Sequence, residues 1–107
     1  MSPRSGAAAS VFAALGDENR LQLVARLSAN GPLSIKRLAA GTRVTRQAIT
    51  KHLDVLAGAG LVKGSRHGRE RIFELAPGGL VSARGYLERV SQRWDEAIAR
   101  LKKLVEE

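Results

Sequence analysis

The 107-residue sequence predicts a mainly α-helical domain carrying one small β-hairpin, in the order α-α-α-α-β-β-α. Three observations lead there. Apolar residues recur at helical spacing through the first half of the chain. The stretch LVKGSRHGRERIFEL, residues 61–75, reads instead as two extended runs flanking His67-Gly68. From Leu80 onward the apolar pattern repeats every seven residues.

Residues 1–7 read as a loose tail, and residues 8–107 as the domain. The first helix spans Ala8 to Leu15, with Ala8, Phe12 and Leu15 on one face and Gly16 as terminator. Asp17 is a good N-cap for the second, where Leu21, Val24 and Leu27 make a stripe widened by Leu23, and Glu18 suits the first-turn dipole. Asn30-Gly31-Pro32 stops it. Ser34 caps a short third helix with Ile35 and Leu38 inward, and Gly41 to Val44 make a tight connection. Thr45 caps the fourth, in which Ile49, Leu53 and Leu56 share a buried face. In the hairpin Phe73 and Leu75 lie on one side, and Glu70, Ile72 and Glu74 on the other. Pro77-Gly78-Gly79 launches the last helix, about residues 80–106. Its seven-residue pattern places Leu80, Leu87, Trp94 and Leu101 at one position and Ala83, Val90, Ala97 and Leu104 at the other. Four such repeats extend about 42 Å, longer than a domain of this size needs for its own core. The pattern therefore asks for a second copy of the helix, with covering its own domain as the plainer alternative.

Charge is unevenly placed. The chain carries 18 Lys and Arg against 10 Asp and Glu, a net +8, of which residues 36–75 supply +6 and the flanks +1 each. A concentrated positive region on a small domain suits a polyanion, and nucleic acid comes before an acidic membrane surface because no basic amphipathic helix with exposed aromatics is present. The absence of Cys excludes disulfides, thiol redox chemistry and thiolate metal sites. The opening MSPRSGAAASVFAALG lacks the organisation of a secretory leader, and nothing reaches the ~20 apolar residues of a membrane span. A cytoplasmic chain is expected. No nucleophile motif, phosphate-binding glycine loop or tuned carboxylate pair points to catalysis, and no cofactor motif is found.

The helices Ser34–Ala40 and Thr45–Ala59, joined by a four-residue turn, have helix-turn-helix spacing, and the basic hairpin that follows is placed as a wing. On LGDENRLQLVARL, LAAGTRVTRQAITKHLDVLAGAGLV and RHGRERIFEL, the chain from about Ala8 to Leu104 resembles the ArsR family of winged helix-turn-helix bacterial transcriptional regulators. The resemblance implies a homodimer that binds an operator and represses, often releasing when an inducer binds. Family members commonly have Gly where this chain has Arg43. Either Arg43 tolerates a left-handed backbone there, at about 1–2 kcal/mol, or the turn differs. Many relatives sense metals through Cys at the start of the third helix or through Asp and His on the last; LSIKRL has no thiolate and the last helix no His, so neither family metal site is expected. His52 and His67, isolated from each other in sequence, make no closed site, and His52 is better read as bonded within the core or to phosphate.

Residue chemistry leads to the same function. With Ile49, Leu53 and Leu56 inward, Arg46, Gln47, Thr50 and Lys51 face outward at the end of the helix that reaches base edges in this motif. Arg suits guanine, Gln adenine, and Thr offers hydroxyl or methyl. Lys51 and Thr45 suit phosphate, as does Arg43 beside the helix. In the wing, Lys63, Arg66, Arg69 and Arg71 surround the turn, suited to the backbone or the minor groove, with a solvated edge as the plainer alternative. The expected partners are double-stranded DNA and a second copy of the chain, meeting through Phe12, Leu80, Leu87, Val90, Trp94, Ala97, Leu101 and Leu104. Trp94 is read as packing in that seam; a small-molecule effector, if one exists, would lie between the last helix and the first two. The expected function is a sequence-specific regulator, a repressor on an inverted-repeat operator. A sequence-neutral architectural DNA-binding protein is the first alternative, and a protein-interaction adaptor the second.

Overall fold

The computed structural model describes residues 3–106. Helix α1 runs Pro3–Leu15, so the expected tail over residues 1–7 is helical from Pro3 onward, and Met1 and Ser2 lie outside the described residues. Proline at a first helical position has φ already set and loses no hydrogen bond, and the Ala-rich run behind it has high helix propensity. The inward face is Ala8, Val11 and Ala14, flanked by Leu15, rather than Ala8, Phe12 and Leu15. Small residues let the helix sit close to its neighbours. The larger Phe12 lies at the edge, meeting the Tyr86 ring at 5.9 Å in an edge-on arrangement.

Helix α2 spans Glu18–Asn30 behind Asp17, whose Oδ1 accepts from the Arg20 backbone N–H at 3.1 Å. Leu23 and Leu27 are its buried pair with Val24 beside them, while Leu21 is half-exposed, which corrects the expected stripe. Helical spacing puts Arg20 beside the Leu23 and Leu27 face, where its Nε donates to the Ala14 carbonyl at 2.6 Å, and Leu21 about 100° further round and away from that face.

The Arg20 N–H also holds the Asp17 carboxyl below the ordinary carboxylate range, and the Arg20 guanidinium at 4.0 Å acts in the same direction. A lowered carboxyl contributes stability that is present above its unfolded pKa and is lost as pH falls through the lowered value. Asp17→Asn keeps a capping oxygen but no titrating charge. Thermal melts across an acidic pH series should therefore fall less steeply for this variant than for the parent; parallel curves would dissociate the cap from the acid response.

A short strand, β1 (Leu33–Ser34), precedes α3 (Ile35–Ala39). It pairs antiparallel with β3, Leu33 opposite Phe73 and Ser34 opposite Ile72, an element absent from the expected order. Ser34 also caps α3, its hydroxyl accepting from the Arg37 N–H at 3.1 Å. Helix α4 (Arg46–Gly58) buries Ile49, Leu53 and Leu56, as their spacing predicts. Strands β2 (Val62–His67) and β3 (Glu70–Leu75) form the hairpin, and the sheet order is β1-β3-β2. Phe73 enters the core from β3, joining Leu23, Leu27, Leu38 and the α4 trio in one apolar cluster.

Helix α5 (Pro77–Glu106) begins slightly before the expected boundary and packs its first turns along α1. Ala83 is its last buried residue. Beyond that the helix projects, which explains a radius of gyration of 18.2 Å where a compact chain of this length would have about 13 Å. Among the described residues no helix is long and apolar enough to cross a membrane.

Candidate nucleic-acid interface

The turn between α3 and α4 is held by two side chains. Arg26 of α2 donates Nη1 to the Leu38 carbonyl at 2.6 Å and Nη2 to that of Arg37 at 3.0 Å, serving carbonyls that the end of α3 leaves unpaired. The Thr42 hydroxyl donates to the Ala39 carbonyl at 3.0 Å. The left-handed residue is Gly41, φ 74°, and no non-glycine residue among those described has positive φ. The turn therefore places its left-handed step two residues before Arg43, which sits in the exposed connection without penalty.

With that turn fixed, α4 presents its N-terminal end. The Thr45 hydroxyl accepts from the Ala48 N–H at 3.1 Å. Thr45, Arg46, Gln47 and Lys51 are exposed, Thr50 is half-buried, and together they line an open recess. A second, narrower groove lies between α4 and the wing, where Arg46 and Thr50 face Arg66, Arg69 and Arg71 from the hairpin and Lys36 from α3. The groove thus gathers five cations, and Glu70 is its one acid. Such a concave surface, five cations against one acid, concentrates a positive field.

Lys36 carries no DNA-binding signal in the sequence, where LSIKRL bears only on metal ligation. The β1–β3 pairing brings the start of α3 beside the wing and so places Lys36 there. Two wing residues have acidic partners. Lys63 Nζ lies 3.6 Å from Glu74 Oε1 across the hairpin and lines neither concavity. Arg71 Nη2 lies 3.9 Å from Asp54 Oδ1, with its guanidinium 5.1 Å from the Phe73 ring centroid, so it links α4 to the wing as well as lining the groove. His67 pairs with Glu70, so the hairpin turn is Gly68-Arg69 rather than the expected His67-Gly68; Arg69 stands in the turn itself, Arg66 lies at the end of β2, and both are exposed.

His52 points the other way. Its Nδ1 is 3.4 Å from Arg20 Nη1, and since a guanidinium only donates, the imidazole nitrogen accepts. His67 Nε2 lies 3.1 Å from Ser65 Oγ within the wing. Among the described residues no group of three or more His, Cys, Asp or Glu is gathered in a metal-binding arrangement.

On α5, Leu80, Leu87, Trp94, Leu101 and Leu104 are exposed, while Val90 and Ala97 are half-buried. Ile98 and Val105 extend the same apolar surface beyond the expected set. They fall four residues after Trp94 and Leu101, where a 3.6-residue helical period finds them and a strict seven-residue register does not.

A helix-turn-helix whose second helix is open at its N-terminal end, beside a basic two-stranded wing, defines a winged helix-turn-helix DNA-binding domain. Comparison with known proteins agrees. A helix-turn-helix domain family matches residues 15–64. The chain is 38% identical over 93 residues to the HTH-type transcriptional regulator Rv2034 of Mycobacterium tuberculosis, covering 87% of this chain and 83% of that relative. The ArsR-like transcriptional regulator from Rhodococcus sp. RHA1 superposes with a TM-score of 0.80 at 37% identity, over 94% of this chain and 93% of that one. A second ArsR family regulator, at 23% identity and TM-score 0.79 over 89% and 97% of the two chains, supports the fold alone. The chain belongs to the ArsR family of winged helix-turn-helix regulators, and is a DNA-binding transcriptional regulator.

Proposed function

We propose that the chain acts as a homodimeric repressor on an inverted-repeat operator, reading bases with the N-terminal half of α4 and holding the backbone with the wing. The observation that carries this reading is the groove in which Arg46, at the base-reading end of α4, shares a wall with Lys36, Arg66, Arg69 and Arg71. In this motif the second helix enters the major groove while neighbouring elements contact the backbone. Arg46 and Gln47 carry donors suited to guanine and adenine edges. Lys51, Thr45 and the wing arginines suit phosphates, and Lys36 joins them. A two-fold dimer through α5, assisted by α1, would set two such surfaces about 34 Å apart, on successive turns of DNA.

Gln47 and Arg69 separate the two kinds of interaction. Gln47→Ala should lower affinity by about 1–3 kcal/mol at one preferred base and relax preference there. Arg69→Ala should weaken all sequences alike and reduce the slope of log affinity against log salt by about one for each phosphate left unneutralised. Fluorescence anisotropy over a salt series, on a selected operator and on scrambled DNA, measures both. Equal responses from the two variants would sink the division of roles, and a promoter footprint erased by competitor DNA would favour a sequence-neutral protein.

A further inference from the structure

The hydroxyl of Thr50 donates to the carbonyl oxygen of Arg46, one turn earlier on α4, at 2.8 Å. Thr50 borders both the recess at the N-terminal end of the helix and the groove beneath the wing. A threonine hydroxyl has one proton, and here it is used inside the helix. Guanine N7 and O6, thymine O4 and phosphate oxygens all need a donor, so none of them is served by Thr50 unless this bond breaks. Donors are already abundant on its neighbours Arg46, Gln47 and Lys51.

The hydroxyl oxygen can still accept, from adenine N6–H2 or cytosine N4–H2, a role that Thr50→Val would abolish; the other feature Thr50 presents is its Cγ2 methyl. Branching at Cβ leaves threonine few χ1 rotamers in a helix, and the bond to Arg46 selects among them, so the methyl is held in one place. In the major groove the feature complementary to a fixed methyl is the C5-methyl of thymine. We propose that Thr50 is a specificity-determining residue that selects thymine by methyl–methyl contact, once in each half-site. This rests on the reading of α4 as the recognition helix.

The test uses the full chain and an operator that it selects from random duplex DNA. Each thymine is replaced in turn by deoxyuridine, which lacks only the C5-methyl, and affinity is measured by anisotropy. One symmetry-related position per half-site should lose about fourfold on removal of a single buried methyl. Thr50→Val, which keeps the methyl and lacks the hydroxyl, should retain that ratio. Thr50→Ser, which keeps the hydroxyl and lacks the methyl, should bind thymine and uracil duplexes alike. A selected operator indifferent to uracil everywhere overturns the assignment, as does a ratio kept by the Ser variant and lost by the Val variant. If the chain selects no sequence at all, the recognition-helix reading itself fails and the Thr50 assignment falls with it. Circular dichroism of both variants confirms that they are folded at the temperature of the assay.

Discussion

Gly79→Ala should lower the thermal midpoint by about 10 °C, the effect of roughly 2 kcal/mol lost to overpacking in a domain of this size. Gly79 is buried in the first turn of α5, and its N–H donates to the Gly60 carbonyl at 2.8 Å. A Cβ at this position would lie 2.6 Å from the Ala59 carbonyl oxygen and 2.9 Å from both the carbonyl carbon and oxygen of Gly60. All three are backbone atoms, so no side-chain rotation relieves the clash. The start of α5 must lift away from the end of α4, straining the neighbouring bond from the Ala76 N–H to the Leu61 carbonyl at 2.9 Å. Gly78→Ala is the matched control. Its Cβ would meet nothing within 4 Å, and alanine is favoured over glycine inside a helix by about 0.8–1.0 kcal/mol. That variant should hold or raise the midpoint. Melting curves of the two proteins decide the matter: equal midpoints would mean that the α4–α5 junction relaxes without cost.

The junction at Gly79 also illustrates which parts of the molecule a sequence reveals. Local chemistry is legible. Asp17, Ser34 and Thr45 cap the helices assigned to them because an N-cap requires only a side-chain oxygen and the N–H three residues on. The inward row Ile49, Leu53 and Leu56 is legible for a similar reason, since three large aliphatic residues at spacings of four and three leave one consistent face. Non-local chemistry is not. Two residues of β1 carry no periodicity, and only their pairing with Phe73 and Ile72 makes them a strand. Lys36 reaches the wing groove through that same pairing, and so stays hidden with it. Phe12 and Leu21 face outward, the inward places of their helices being taken by Ala8, Val11 and Ala14 in one case and by Leu23 and Leu27 in the other. The tension expected at Arg43 does not arise, because Gly41 takes up the left-handed conformation two residues before it.

The combined variant Trp94→Glu, Leu101→Glu should be monomeric and should bind the operator about 10²-fold or more weakly than the parent, because a dimer's second half-site is bound at the millimolar effective concentration that linkage supplies. Trp94 is 66% exposed, Leu101 60%, Leu104 70% and Val105 86%, on a helix whose last buried residue is Ala83. An apolar strip of this length needs a cover, and in a two-fold seam each residue meets its own copy or near neighbours, so every introduced carboxylate enters the interface twice. Burying those charges costs several kcal/mol without cations placed to receive them. Within one chain the same positions are largely solvent-exposed, so the substitutions leave the core of α1 to α4 and the sheet untouched. Light scattering at micromolar concentration reads the assembly, and the melting profile reads the domain: the parent's midpoint should rise with protein concentration and the variant's should not. A variant that stays dimeric moves the seam off α5. A monomeric variant that keeps full operator affinity breaks the link between two-fold symmetry and DNA recognition, because the wing and α4 of one copy would then suffice.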